Sequence, residues 1–224
     1  MDVSIFEVVG PIMIGPSSSH TAGAAKLARI ARNIVDEPFK KVRFGLHGSF
    51  AMTYKGHGTD RALVAGALGL YEDDEALAES FELAKQQGLS YEFYPIQLEN
   101  VHENTVKMTF VLLDDREYEV IGSSIGGGQI LITSINGFHT EFTAQYSTII
   151  INHYDKKGIV SEVSAILANN RINIATMRLS RNARGEEAFC IIETDDVIPL
   201  HVKESIEELE NILHVQLINV TPDL

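Results

Sequence analysis

The chain has 224 residues, enough for one large domain or two small ones, and its 45% apolar and 22% charged content is that of an ordinary globular protein. A net charge of −13 with no cluster of Lys or Arg argues against nucleic acid and anionic membrane as partners, and no apolar run approaches the ~20 residues of a membrane span. A single cysteine, Cys190, excludes a disulfide framework and any cysteine-held zinc or iron–sulfur centre on this chain.

The opening "MDVSIFEVVG" has an early acid and no basic start before an apolar core, so a leader peptide is not expected and the cytoplasm is. None of the eight histidines shows the H-E-x-x-H spacing of a zinc helix, so no metal site is expected on this chain. After a serine-rich stretch, Leu27, Ile30, Ala31, Ile34 and Val35 recur with helical spacing, and Asp36–Pro38 ends that helix. "KVRFGLHG" predicts a buried strand. "GTDRALVAGALGL" predicts an apolar helix capped by Thr59 or Asp60. "DDEALAESFELAKQQG" predicts another helix, acidic at its start and closed by Gly88.

The pattern then changes to period two. Val106, Met108, Phe110 and Leu112 alternate with polar neighbours, "REYEVIG" returns after the Asp114–Asp115 turn, and "GGGQILITSING" follows as a third extended stretch. From Ser147 the order is strand, helix with Val160, Val163 and Leu167 on one face, two strands joined by "RNARG", helix and strand. That βαββαβ order is ferredoxin-like. The fold expected is α+β, with domains at 1–146, helices on a mostly antiparallel sheet, and 147–224.

Several polar groupings invite a functional reading. "GPSSSHTAGA" offers Ser17, Ser18, Ser19, His20 and Thr21 where a helix begins; it is either a capped loop with an exposed histidine or an anion site of hydroxyls and free N–H groups at a helix start. "KGHGTD" leaves His57 accessible between glycines, as a site residue or as a surface turn. His102 and Asn104 precede a strand and His47 ends one; both histidines have ready structural roles. Gly126–Gly128 lacks a Walker lysine and reads as a turn. His153, Asp155 and Gly158 in one loop and Asn173 in another either enclose a small polar ligand or serve as caps and turns.

Together, "GPSSSHTAGA", "HGSFAMTYKGHGTDRALVAG", "VHENT" and "SIGGGQI" resemble the β subunit of iron–sulfur L-serine dehydratases over nearly the whole chain. The part after Ser147 resembles an ACT domain, a ligand-sensing module of amino-acid metabolism. The first part is similar to the allosteric substrate-binding domain of phosphoglycerate dehydrogenases. The resemblance implies a lyase of amino-acid catabolism and gluconeogenesis that converts L-serine to pyruvate and ammonia. Its four-iron four-sulfur cluster would be carried by a cysteine-rich α subunit. It implies that Ser17, Ser19, His20 and Thr21 hold the substrate carboxylate. His57 and Thr59 would lie at the reacting carbons, and His102 and Asn104 would complete the wall. The motif His-Pro-Asn of the family reads His102-Glu103-Asn104 here. A homodimer through the exposed strands of the ACT-like unit is a further expectation, as is a regulatory ligand at His153, Asp155, Gly158 and Asn173. The rival is a non-catalytic sensor of small amino acids.

Overall fold

A computed structural model describes Gly15 and residues 17–220. The opening stretch read for a leader and Pro16 of the serine-rich motif lie outside the described residues. The chain divides between Asn136 and Gly137 into two compact units.

In the first unit a π-helical turn, Ser18–Ala22, runs straight into α1 (Gly23–Val35). All five apolar residues expected on one face of α1 are buried. The helix stops because Asp36 turns left-handed at φ 47°. Next come β1 (Phe39–Leu46), a short α2 (Gly48–Thr53) and α3 (Thr59–Leu68). The cap of α3 is a correction. Gly58, at φ 69°, holds that position with no side-chain bond, so Thr59 and Asp60 are the first helical residues. Glycine is favoured there because a left-handed backbone costs it no Cβ clash.

The acidic stretch divides into a 3₁₀ turn, Glu75–Glu79, capped by Asp74, and α4 (Ser80–Gln86), with Gly88 at φ 71° just beyond. The strands β2 (Ser90–Pro95), β3 (Thr105–Leu112), β4 (Glu117–Gly126) and β5 (Gln129–Ile135) complete the unit. The strand order is β2-β1-β3-β4-β5. Only β1 and β2 run parallel, so the sheet is mostly antiparallel, as expected. Helices α1 and α3 pack so closely that a methyl on Gly66 would lie 2.1 Å from the carbonyl oxygen of Ala25. Gly126–Gly128 forms the β4–β5 turn, with all three glycines at positive φ.

The second unit begins at Gly137 with β6 (Phe138–Phe142), where the sequence pattern begins its own second domain at Ser147. There follow β7 (Ser147–Tyr154), α5 (Ile159–Asn169), β8 (Ile174–Arg181), β9 (Glu187–Thr194), α6 (Leu200–Glu207) and β10 (Ile212–Ile218). The order β10-β7-β9-β8 is antiparallel throughout and gives the expected βαββαβ fold. Its core joins Ile149, Ile151, Cys190, Ile192 and Val215 to both helices. One detail differs: Ile159, not Val160, shares the inner face with Val163 and Leu167. Val160 is 40% exposed, because α5 begins at Ile159 and buries the i, i+4, i+8 stripe that starts there. Among the described residues no helix is long and apolar enough to cross a membrane.

Candidate active site

The serine-rich stretch folds as a turn built around Ser17. Its hydroxyl caps the turn by accepting from the His20 N–H at 3.1 Å, and its carbonyl accepts from Thr21 at 2.9 Å and Ala22 at 3.3 Å. The second of these spans five residues, the wide ladder of a π turn, which often marks functional sites. Ser18 and Ser19, in the first turn, have no intrahelical acceptor for their own N–H groups. The crowded hydroxyls therefore divide into one cap and a set free for other work.

His20 is the node of that set. Its Nδ1 is 3.2 Å from Ser19 Oγ and its Nε2 is 3.1 Å from Ser49 Oγ on α2. Its ring stands edge-to-face with that of His57, centroids 4.9 Å apart, and with Phe50 at 5.3 Å. The pKa of His20 is lowered, first by burial and then by repulsion from His57. A neutral ring at neutral pH follows, with one nitrogen donating and one accepting.

This shift has a measurable consequence. The unfolded chain takes up the proton first as pH falls below the ordinary value of 6.5, so the folded unit loses stability through that window. The melting temperature of a His20→Gln variant is expected to fall less than that of the native chain between pH 7 and pH 5.

His57 is exposed and held by its backbone. Its N–H donates to Thr53 at 3.1 Å, and its carbonyl accepts from Thr21 Oγ1 at 3.2 Å. Thr21, expected in the carboxylate clasp, is buried, and its hydroxyl donates to the His57 loop. Thr59 is fully buried in the first turn of α3, with an Oγ1 that meets no partner.

The third loop joins through its backbone. The Ser49 N–H donates to the Glu103 carbonyl at 2.9 Å, and the Ser124 N–H on β4 donates to the Asn104 carbonyl at 3.0 Å. Gly48, at φ 52°, allows this approach; a methyl there would lie 2.6 Å from the Glu103 oxygen. His102 is exposed and accepts from the Asn104 N–H through Nδ1 at 3.0 Å, which is a turn contact. Asn104 Oδ1 and Ser124 Oγ are buried without partners. Ser124 in turn sits under Gly23, where a methyl would be 2.0 Å from its Oγ. The circuit from His20 through Ser49, Glu103, Asn104 and Ser124 back to Gly23 therefore closes within the first unit.

Ser49 and Ser124 are the members that the sequence did not single out. The only local signal for Ser49 is its position after the glycine that closes the strand-like stretch "KVRFGLHG", and for Ser124 a serine at a buried strand position. His47, expected to be structural, accepts from the Leu98 N–H through Nδ1 at 3.1 Å.

In the second unit the expected ligand loops do not meet. Register pairs Thr194 with both Ser147 and Ile174, while His153 pairs with Ala188 at the other end. The Asn173 loop therefore sits at the start of β7 and the His153–Asp155 loop at its end, roughly 20 Å apart at the rise of a strand. The cause is the crossover helix, which returns the chain to the edge where it began. Asp155 accepts from the Gly185 N–H and from Arg181, which hold its pKa down in that order. His153 is 1% exposed, with Nδ1 on the Tyr154 carbonyl and Nε2 unpartnered. Gly158, at φ 104°, is the N-cap of α5, and Asn173 is exposed and bonded to Asp195 and Asp196.

Among the described residues no three His, Cys, Asp or Glu side chains are placed to hold a metal ion. Cys190 lies in the second unit's core, where burial pushes its thiol up to about 11.

A family model described as serine dehydratase beta chain matches residues 4–134, and an ACT domain model matches residues 147–211. The chain is 46% identical to an L-serine dehydratase beta chain of Peptoniphilus asaccharolyticus, covering 98% of this chain and 99% of that one. It is 40% identical to a probable L-serine dehydratase beta chain of Bacillus subtilis, over 95% and 96%. It is also 26% identical to the D-3-phosphoglycerate dehydrogenase of Bacillus subtilis, over 88% of this chain and 37% of that enzyme. By this full-length similarity, and with the two expected folds in their expected order, the chain belongs to the L-serine dehydratase beta-chain family.

Proposed function

We propose that this chain is the β half of an L-serine ammonia-lyase, supplying substrate-binding and proton-transfer groups to an iron–sulfur cluster held by a cysteine-rich α subunit. The observation that carries this reading is His20, bridged by two serine hydroxyls and facing His57 at 4.9 Å inside one closed circuit of loops. The Ser49 hydroxyl and the N–H groups of Ser18 and Ser19 are donors suited to a carboxylate. His57 is exposed beside His20, where it takes the α-proton of serine. Thr21 fixes the His57 loop, and Thr59 and Asn104 offer acceptors for the substrate ammonium. The cluster, when bound by the partner, supplies Lewis acidity to the departing hydroxide. Elimination yields an aminoacrylate, which tautomerises and hydrolyses to pyruvate and ammonia.

The test is reconstitution. The chain alone is expected to release no pyruvate from L-serine, and the chain co-expressed anaerobically with its α partner is expected to do so. Pyruvate formation by the isolated chain would refute the division of labour.

The ACT match favours a second role for residues 147–211, sensing of a small amino acid. Because the His153–Asp155 loop and Asn173 occupy opposite ends of one sheet, a ligand touching both is shared between two copies of the unit.

A further inference from the structure

We infer that Ser49 is a positioning residue that fixes the tautomer and ring orientation of His20. The inference rests on the reading of this site as one for an anionic amino acid, and it assigns a role to a side chain outside the serine-rich motif.

The hydroxyls around His20 form a chain whose direction can be worked out. Ser17 Oγ already accepts from the His20 N–H at 3.1 Å, so its proton is free to point to Ser19 Oγ, 3.4 Å away. Ser19 then donates to His20 Nδ1 at 3.2 Å. A neutral imidazole that accepts at Nδ1 must carry its proton on Nε2, which donates to Ser49 Oγ at 3.1 Å. In this direction Ser17 and Ser19 each give one bond and take one, and Ser49 takes one. The reverse direction is satisfied at Ser17, whose two lone pairs accept both bonds, but it turns the Ser49 proton inward onto Nε2, away from any anion. Ser49 ends the chain with a free proton, the group a carboxylate oxygen requires.

Ser49 is itself held rigidly. Its N–H donates to Glu103 at 2.9 Å, and its carbonyl accepts from Thr53 Oγ1 at 2.8 Å. Those contacts are main-chain, so replacing the side chain leaves α2 in place. Without the hydroxyl, Nε2 has no acceptor, and the ring is free to exchange tautomers and to turn from His57.

The experiment uses the full chain with ¹⁵N-labelled histidine. The native chain is expected to show His20 as the Nε2–H tautomer. Ser49→Ala is expected to shift both ring nitrogens toward a tautomer mixture, with the melting temperature little changed, and Ser49→Thr is expected to restore the native shifts. In the complex with the α partner, Ser49→Ala is expected to raise KM for L-serine about tenfold, the effect of losing one bond to a charged group, with kcat within threefold. Unchanged His20 shifts in Ser49→Ala, or a well-folded Ser49→Thr that behaves as the alanine does, would overturn the assignment. A native complex with no activity would sink the functional reading instead, and the ¹⁵N shifts would still judge Ser49.

Discussion

Replacing His57 by asparagine is expected to lower pyruvate release from L-serine by 10²- to 10⁴-fold, about the range seen when a positioned base is removed. The loop will survive the change, because what anchors it is the His57 N–H on Thr53 and the His57 carbonyl under Thr21 Oγ1, neither of which involves the imidazole. A loss of kcat at unchanged melting temperature therefore reports chemistry rather than folding. The same substitution removes the repulsion that helps lower the pKa of His20. Its titration midpoint, followed by NMR, should rise yet stay below the ordinary value, since burial is the larger cause and remains. Activity equal to the native complex would take His57 out of the reaction.

The second large effect is structural. Gly66→Ala is expected to destabilise the first unit by about 3 kcal/mol, the upper end for overpacking, and to lower its melting temperature by roughly 10 °C. The added methyl would meet a backbone oxygen of Ala25 at 2.1 Å and the Ala28 Cβ and Arg29 N at 2.8 Å. No rotamer change relieves a clash with main chain, so α1 and α3 must separate. The site goes with them, since the serine turn rides on the start of α1 and Thr59 on the start of α3. Gly56→Ala is the control: its methyl would find only the Thr53 oxygen, at 3.7 Å, and calorimetric unfolding should be nearly native.

Much of this architecture is legible in the residues. The stripe from Leu27 to Val35, the alternation from Val106 to Leu112 and the βαββαβ order after Ser147 each follow from a period that burial enforces. What escaped lacks a period or depends on long-range pairing. Strand β2, "SYEFYP", is a parallel edge strand ending in proline, and α2 spans only Gly48–Thr53. The site was half legible. The resemblance of its motifs pointed to Ser19, His20 and His57. Thr21 turned out to brace a neighbouring loop, a choice set by a residue 36 positions away. Ser49 and Ser124 reach the site only because β1, β3 and β4 lie side by side. The separation of Asn173 from His153 follows from handing a chain across a sheet, which local composition does not encode.

The π turn at Ser18–Ala22 amounts to one extra residue threaded into an otherwise regular helical ladder. Each residue of an α-helix advances the side chains by about 100°. Excising one residue between His20 and α1 would let the ladder close up as ordinary helix and swing the imidazole about a quarter-turn away from α2. The direction in which the imidazole faces is thus set by the register of this single turn.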